Sequence, residues 1–194
     1  MNFLAHIYLS GENAPVTIGN FIADSIRGKK YLSYPLEIQK GILLHRQIDT
    51  FTDAHPTVRK STKKLHSNYG HYSGVIVDIF YDHFLAKNWK DYSEVPLDIY
   101  VDEFYDLLGE YYEILPINVK KMMPYMIADN WLYSYSTLEG ISKVLNGMNR
   151  RTKNKSKMNF AIIELEEHYK DFEKEFTSFF EELITFSTHK LASL

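Results

Sequence analysis

Helical period runs through nearly the whole chain, and convincing strand-like alternation is absent. The short apolar stretch 2–10 predicts a helical turn or short helix. Pro15 suits the first turn of a helix running to about Arg27, with Gly28 as its stop. Ile18, Ile22 and Ile26 form one apolar stripe on it, and Asn20, Asp24 and Arg27 fall on the opposite side. Pro35 opens a helix that ends before Pro56, and a basic helix over 56–68 is broken at Asn68-Tyr-Gly70. The segment 72–90 is apolar nearly all round, through Val75, Ile76, Val77, Ile79, Phe80, Phe84 and Leu85. That pattern predicts a central, buried helix. Pro96 opens a helix to about Tyr112, and Pro116 starts another. Ser136-Thr-Leu-Glu139 reads as a capping box before a helix to about Asn146, with Gly147 as its cap. Residues 157–190 predict one long amphipathic helix with acidic residues outside. The expectation is an all-α, single-domain helical bundle over residues 1–194.

Composition narrows this picture. A chain of 194 residues with 45% hydrophobic content can bury one substantial core. The net charge of −3 gives no global nucleic-acid signature. There are no cysteines, so disulfides and thiolate zinc sites are excluded and a metal would be held by His, Asp and Glu. No run of about 18 apolar residues predicts a membrane span. The first residues lack a basic n-region and read as mature sequence, so a cytoplasmic location is expected. P-loop, dinucleotide-loop, Gly-x-Ser-x-Gly and His-Glu-x-x-His motifs are all missing.

The candidate chemistry lies in polar groups on apolar faces. His45 and Asp49 are four residues apart, on the helix face that carries Ile38, Ile42 and Ile48. Asp78 and Asp82, also four apart, share a face with Val75, Ile79, Leu85 and Trp89, and His83 follows them. Stacked carboxylates repel unless something positive sits between them. A divalent metal would serve; so would a salt bridge to Arg46 or an interhelical hydrogen bond. Imidazole and carboxylate without sulfur suit Mn²⁺, Fe²⁺ or Zn²⁺, and less strongly Mg²⁺. Such an ion lowers the pKa of bound water and clamps a phosphoryl oxygen. Arg27 and Arg46 are then candidate phosphate forks. Two basic clusters could dock an acidic partner: Arg59, Lys60, Lys63 and Lys64, and Arg150, Arg151, Lys153, Lys155 and Lys157. Aromatics are not interleaved with them, so nucleic acid is not expected.

Several of these residues fall in motifs that together resemble one family. They are Met-Asn-Phe-Leu-Ala-His6, Gly19-Asn-Phe-Ile-Ala-Asp24-Ser-Ile-Arg27-Gly28, His45-Arg46-x-x-Asp49 with Asp53, Asp78-x-x-x-Asp82-His83-Phe-Leu, and Leu145-Asn-Gly-Met148. In order and spacing these resemble the acyl carrier protein phosphodiesterases, from residue 1 to about 150. The resemblance implies an all-helical fold distantly related to the HD-type metal-dependent phosphohydrolases. It also implies Mn²⁺-dependent hydrolysis of holo-acyl carrier protein to apo-carrier and 4′-phosphopantetheine. By resemblance Asp24 and His6 join His45, Asp49, Asp78, Asp82 and His83 as metal-site candidates, with Asp24, Arg27 and Arg46 as catalytic ones. HD-type doublets read His then Asp, whereas this chain reads Asp82-His83. Two other readings stay open: a metal-dependent phosphohydrolase of a nucleotide or other small phosphodiester, and a helical binding module without catalysis. The expected architecture of the site is a two-helix clamp, His45 and Asp49 facing Asp78, Asp82 and His83.

Overall fold

The computed structural model describes all residues, Met1–Leu194, and contains helices and no strands. In chain order these are α1 (Phe3–Tyr8), α2 (Ala14–Ile22), α3 (Leu36–Ala54), α4 (Pro56–Tyr69), α5 (Ser73–Lys87), α6 (Leu97–Glu110), α7 (Ile117–Ala128), α8 (Trp131–Ser134), α9 (Leu138–Arg151), α10 (Ala161–Glu167) and α11 (Tyr169–Ser193). Five of the six prolines stand at helix starts, and Pro124 lies inside α7. Pro15 and Pro56 occupy first turns, where no N–H is needed, and Pro35, Pro96 and Pro116 are N-caps.

Three expected boundaries are corrected. The first helix does not run to Arg27: α2 stops at Ile22 and tightens into a 3₁₀ turn over Ala23–Ser25. Ile26 leaves that turn extended, which buries its side chain in the core. The helix expected to end near Asn146 passes through Gly147 and continues to Arg151, because nothing at that glycine demands a stop; Thr137, not Ser136, caps it by accepting the Gly140 N–H. The single C-terminal helix is broken at His168, whose carbonyl accepts the N–H groups of Asp171 and Phe172. That break sets the Tyr169 hydroxyl 2.7 Å from His83 Nε2.

α5 is central, as its all-round apolarity predicts. Phe80, Tyr81 and Phe84 pack against Phe172, Phe176 and Phe179 of α11 at ring separations of 5.2–6.1 Å. α2 and α3 are held close together. A Cβ on Gly19 would lie 2.2 Å from the Ile38 carbonyl oxygen, and one on Gly41 would lie 2.1 Å from that of Val16. Only glycine permits this backbone approach. It places the middle of α2 directly against the helix that carries His45 and Asp49.

Candidate metal centre

The site is built where α1, α2 and α3 meet. His6 comes from α1, Asn20 from α2, His45 and Asp49 from successive turns of α3, and Asp24 from the 3₁₀ turn after α2. Because α2 ends early, that turn carries Asp24 off the helix side opposite the apolar stripe and brings it to His45. The two imidazoles stack, with ring centroids 3.9 Å apart and planes 18° from parallel. His45 Nε2 lies 3.1 Å from Asp49 Oδ2 and 3.2 Å from Asp24 Oδ1. His6 Nε2 lies 3.3 Å from Asp49 Oδ1. Behind the rings, Asn20 Oδ1 is 2.8 Å from His6 Nδ1, and the Asn20 carbonyl oxygen is 2.9 Å from His45 Nδ1. Both histidines are buried, whereas the Asp49 and Asp24 side chains are 42% and 75% exposed. The cluster is therefore walled on its imidazole side and open to solvent on its carboxylate side.

Electrostatics separate the two rings. Burial, and then the charge of neighbouring His45, push the His6 pKa down to about 4. Burial also opposes charge on His45, but its hydrogen bonds to Asp24 and Asp49 prevail and raise it to about 9. Burial would raise Asp49, yet its hydrogen bond to His45, with the charge of the adjoining imidazoles, holds it well below the usual carboxylate range. Asp24 is lowered chiefly by its hydrogen bond to His45. In the ion-free protein a histidine NMR titration should thus find His45 protonated until about pH 9 and His6 neutral above about pH 4. The stability consequence has a definite sign. The extra proton affinity of His45 stabilises the fold fully below the ordinary pKa of 6.5, and that contribution is lost as pH rises through 9.

The donor set fits a divalent ion. His6 Nε2 is buried and has no hydrogen-bond partner. An unpartnered buried nitrogen is costly unless something binds it. One ligand atom each from His6, His45 and Asp49 lie within 4.8 Å of one another. Asp24 adds a carboxylate beside His45. Two imidazoles with carboxylates form the nitrogen–oxygen set that Mn²⁺, Fe²⁺ and Zn²⁺ accept.

Asp82 and His83 are bonded away from the α3 pair, whereas Asp78 stands near Asp49 across the Met1 amine. Asp82 is fully buried and accepts N–H groups of Leu4 at 2.7 Å and of Asn2 and Ala5 at 3.3 Å. It is the anion at the N-terminus of α1, where bare N–H groups attract it as a cation would. Burial raises its pKa to about 7, partly offset by the Met1 ammonium and these backbone bonds. Asp78 lies 3.0 Å from the Met1 amino nitrogen, which is itself 4.0 Å from Asp49. His83 faces elsewhere, with Nδ1 2.8 Å from the Tyr135 carbonyl and Nε2 at Tyr169.

The arginines also differ. Arg46 Nη2 donates to the carbonyls of Ile26 and Gly28 at 3.0 and 2.9 Å, and its guanidinium lies 5.1 Å over the Tyr31 ring. It holds the turn over residues 26–33 rather than standing free. Arg27, carried by that turn, is exposed. Of the basic clusters, Lys60 and Lys64 are paired with Glu175, whereas Arg150, Arg151, Lys153, Lys155 and Lys157 are exposed and form no ion pair. Asn20 was not a sequence candidate, although it sits inside the Gly19-to-Asp24 motif that carried the resemblance.

The profile of the family described as "Acyl carrier protein phosphodiesterase" matches residues 1–183. Curated proteins named acyl carrier protein phosphodiesterase are similar across nearly the whole chain. One from Yersinia pestis is 29% identical over 191 residues, covering 98% of this chain and 99% of its own length. One from Photorhabdus laumondii is 30% identical over 181 residues, covering 93% and 91%. One from Escherichia coli O139:H28 is 30% identical over 193 residues, covering 98% and 99%. No solved structure matches the chain. No helix is long and apolar enough to cross a membrane.

Proposed function

Because the chain belongs to the acyl carrier protein phosphodiesterase family, we propose that it hydrolyses holo-acyl carrier protein. The bond cut would be the phosphodiester between 4′-phosphopantetheine and the carrier serine, giving apo-carrier, in the cytoplasm. The observation that carries the metal-dependent form of this reading is the unpartnered His6 Nε2 facing Asp49 beside His45.

His6, His45 and Asp49 would hold a divalent ion, Mn²⁺ by resemblance, with Asp24 beside them. When bound, such an ion acidifies water and polarises a phosphoryl oxygen. Asp24 is exposed at the mouth and kept ionised by His45, so it can take a proton from the attacking water. The water oxygen bonds to phosphorus, the bond to the serine oxygen breaks, and that oxygen takes a proton as it leaves. Arg27 can reach phosphoryl oxygens from the exposed turn that Arg46 fixes. Of the two basic clusters, the 150–157 segment is the better dock for an acidic carrier, since none of its cations is neutralised whereas Lys60 and Lys64 of the other are.

The test is conversion of holo-carrier to apo-carrier, read by intact-protein mass spectrometry with and without Mn²⁺ after chelation. Conversion restored by Mn²⁺ is expected. Conversion undiminished by chelation, or its absence with every divalent ion, overturns the respective half of the proposal. In the same assay Arg150→Glu with Lys155→Glu should raise KM about tenfold, about 1.4 kcal/mol, with kcat unchanged. An unchanged KM removes that loop from the docking surface.

A further inference from the structure

Asn20 is fully buried on α2 behind the two histidines. Its Nδ2 lies 2.8 Å from the His6 carbonyl oxygen and 2.9 Å from Ser10 Oγ. A carbonyl oxygen only accepts, so the amide nitrogen must face it and the amide oxygen must face the rings. That oxygen, in turn, only accepts. At 2.8 Å from His6 Nδ1 it requires the ring hydrogen to be on Nδ1. His6 Nε2 is buried with no hydrogen-bond partner, so with the hydrogen on Nδ1 it is left as a bare lone pair. His45 Nδ1 likewise faces only acceptors on Asn20, the carbonyl oxygen at 2.9 Å and Oδ1 at 3.2 Å. Its Nε2 is thereby also turned to the carboxylate side. A bare nitrogen 3.3 Å from a carboxylate oxygen sets two lone pairs against each other, and a cation between them relieves this.

We infer that Asn20 is a positioning residue: its buried amide fixes His6 as the Nδ1–H tautomer and aims an unprotonated Nε2 at Asp49. One polar side chain thus gives the α1 histidine its capacity to bind a divalent ion. This rests on the metal-centre reading above, but its first readout needs neither ion nor substrate.

The experiment is long-range ¹H–¹⁵N correlation NMR of histidine-labelled, ion-free protein at neutral pH. His6 should carry its hydrogen on Nδ1. Calorimetric titration with Mn²⁺ is the second readout. Asn20→Leu, folded by circular dichroism, should mix the His6 tautomers and weaken Mn²⁺ binding by about 10–100-fold. Asn20→Asp keeps an acceptor for Nδ1–H and should keep the tautomer, although its second oxygen then faces the His6 carbonyl oxygen and lowers Tm. His6 protonated on Nε2 in the unaltered protein overturns the inference, as does a folded leucine variant with unchanged affinity. If that variant does not fold, the His6 tautomer of the unaltered protein still decides it. A protein that holds the Nδ1–H tautomer yet never binds Mn²⁺ would sink the metal reading while supporting the role of Asn20.

Discussion

Asp49→Ala is expected to abolish measurable Mn²⁺ binding and to lower kcat/KM for the holo-carrier about 10³-fold, about 4 kcal/mol. Of the carboxylates, Asp49 alone touches both histidines, one through each oxygen. Its removal leaves two stacked imidazoles with no anion in common, and Asp24 reaches only His45. The fold should suffer much less. The Asp49 side chain is about half in solvent, so its ion pairs contribute about 1 kcal/mol at most. Asp82→Asn makes the contrast. The amide retains an acceptor, but its Nδ2 now faces the Leu4 N–H, donor against donor in a fully buried place. A loss of about 1–3 kcal/mol of stability is expected, with Mn²⁺ affinity unchanged. Calorimetry and thermal melts on the two variants read both effects. Equal loss of ion binding in both would restore Asp82 to the centre.

Gly41→Ala is expected to cost about 3 kcal/mol or more, lowering Tm by about 10 °C. The added methyl would meet the Val16 carbonyl oxygen at 2.1 Å and the Asn20 nitrogen at 2.7 Å. Both are backbone atoms inside α2 and cannot rotate away. α2 and α3 must separate, and the separation falls where His45 Nδ1 meets the Asn20 carbonyl at 2.9 Å. Weaker ion binding should accompany the lower Tm. At Gly74, where a Cβ meets nothing within 4 Å, alanine should leave Tm within a degree or two. A Gly41→Ala protein as stable as the parent would mean that this close approach is not needed.

The helices were legible because the prolines and the apolar spacing leave few alternatives. His45 and Asp49 were legible for the same reason: four residues on one helix is a local relation that sequence states outright. Asp24 was legible only through the family motif. Its place depends on α2 giving way after Ile22, and the burial of Ile26 that drives this is a tertiary event. Asp78 and Asp82 were legible only in part, because period four on an apolar face says that a cation-like partner exists, not which one. The partners are the first turn of α1 and the Met1 amine. A helix N-terminus and a metal ion leave the same trace in sequence. Asn20 escaped because a neutral amide opposite an apolar stripe looks like a surface residue until α1 covers it.

The grip of Arg46 on the Ile26 and Gly28 carbonyls has a kinetic consequence. Arg46 follows His45 directly on α3. The turn that carries Arg27 is therefore fastened to the same rigid rod as His45. Mouth and floor travel together, so this rim is no flap that swings aside between turnovers. Release of product should then be paced by the departing carrier and its freed arm, not by opening of the enzyme. Solvent viscosity, which slows the separation of large bodies, should slow turnover on the protein substrate more than on a small phosphodiester.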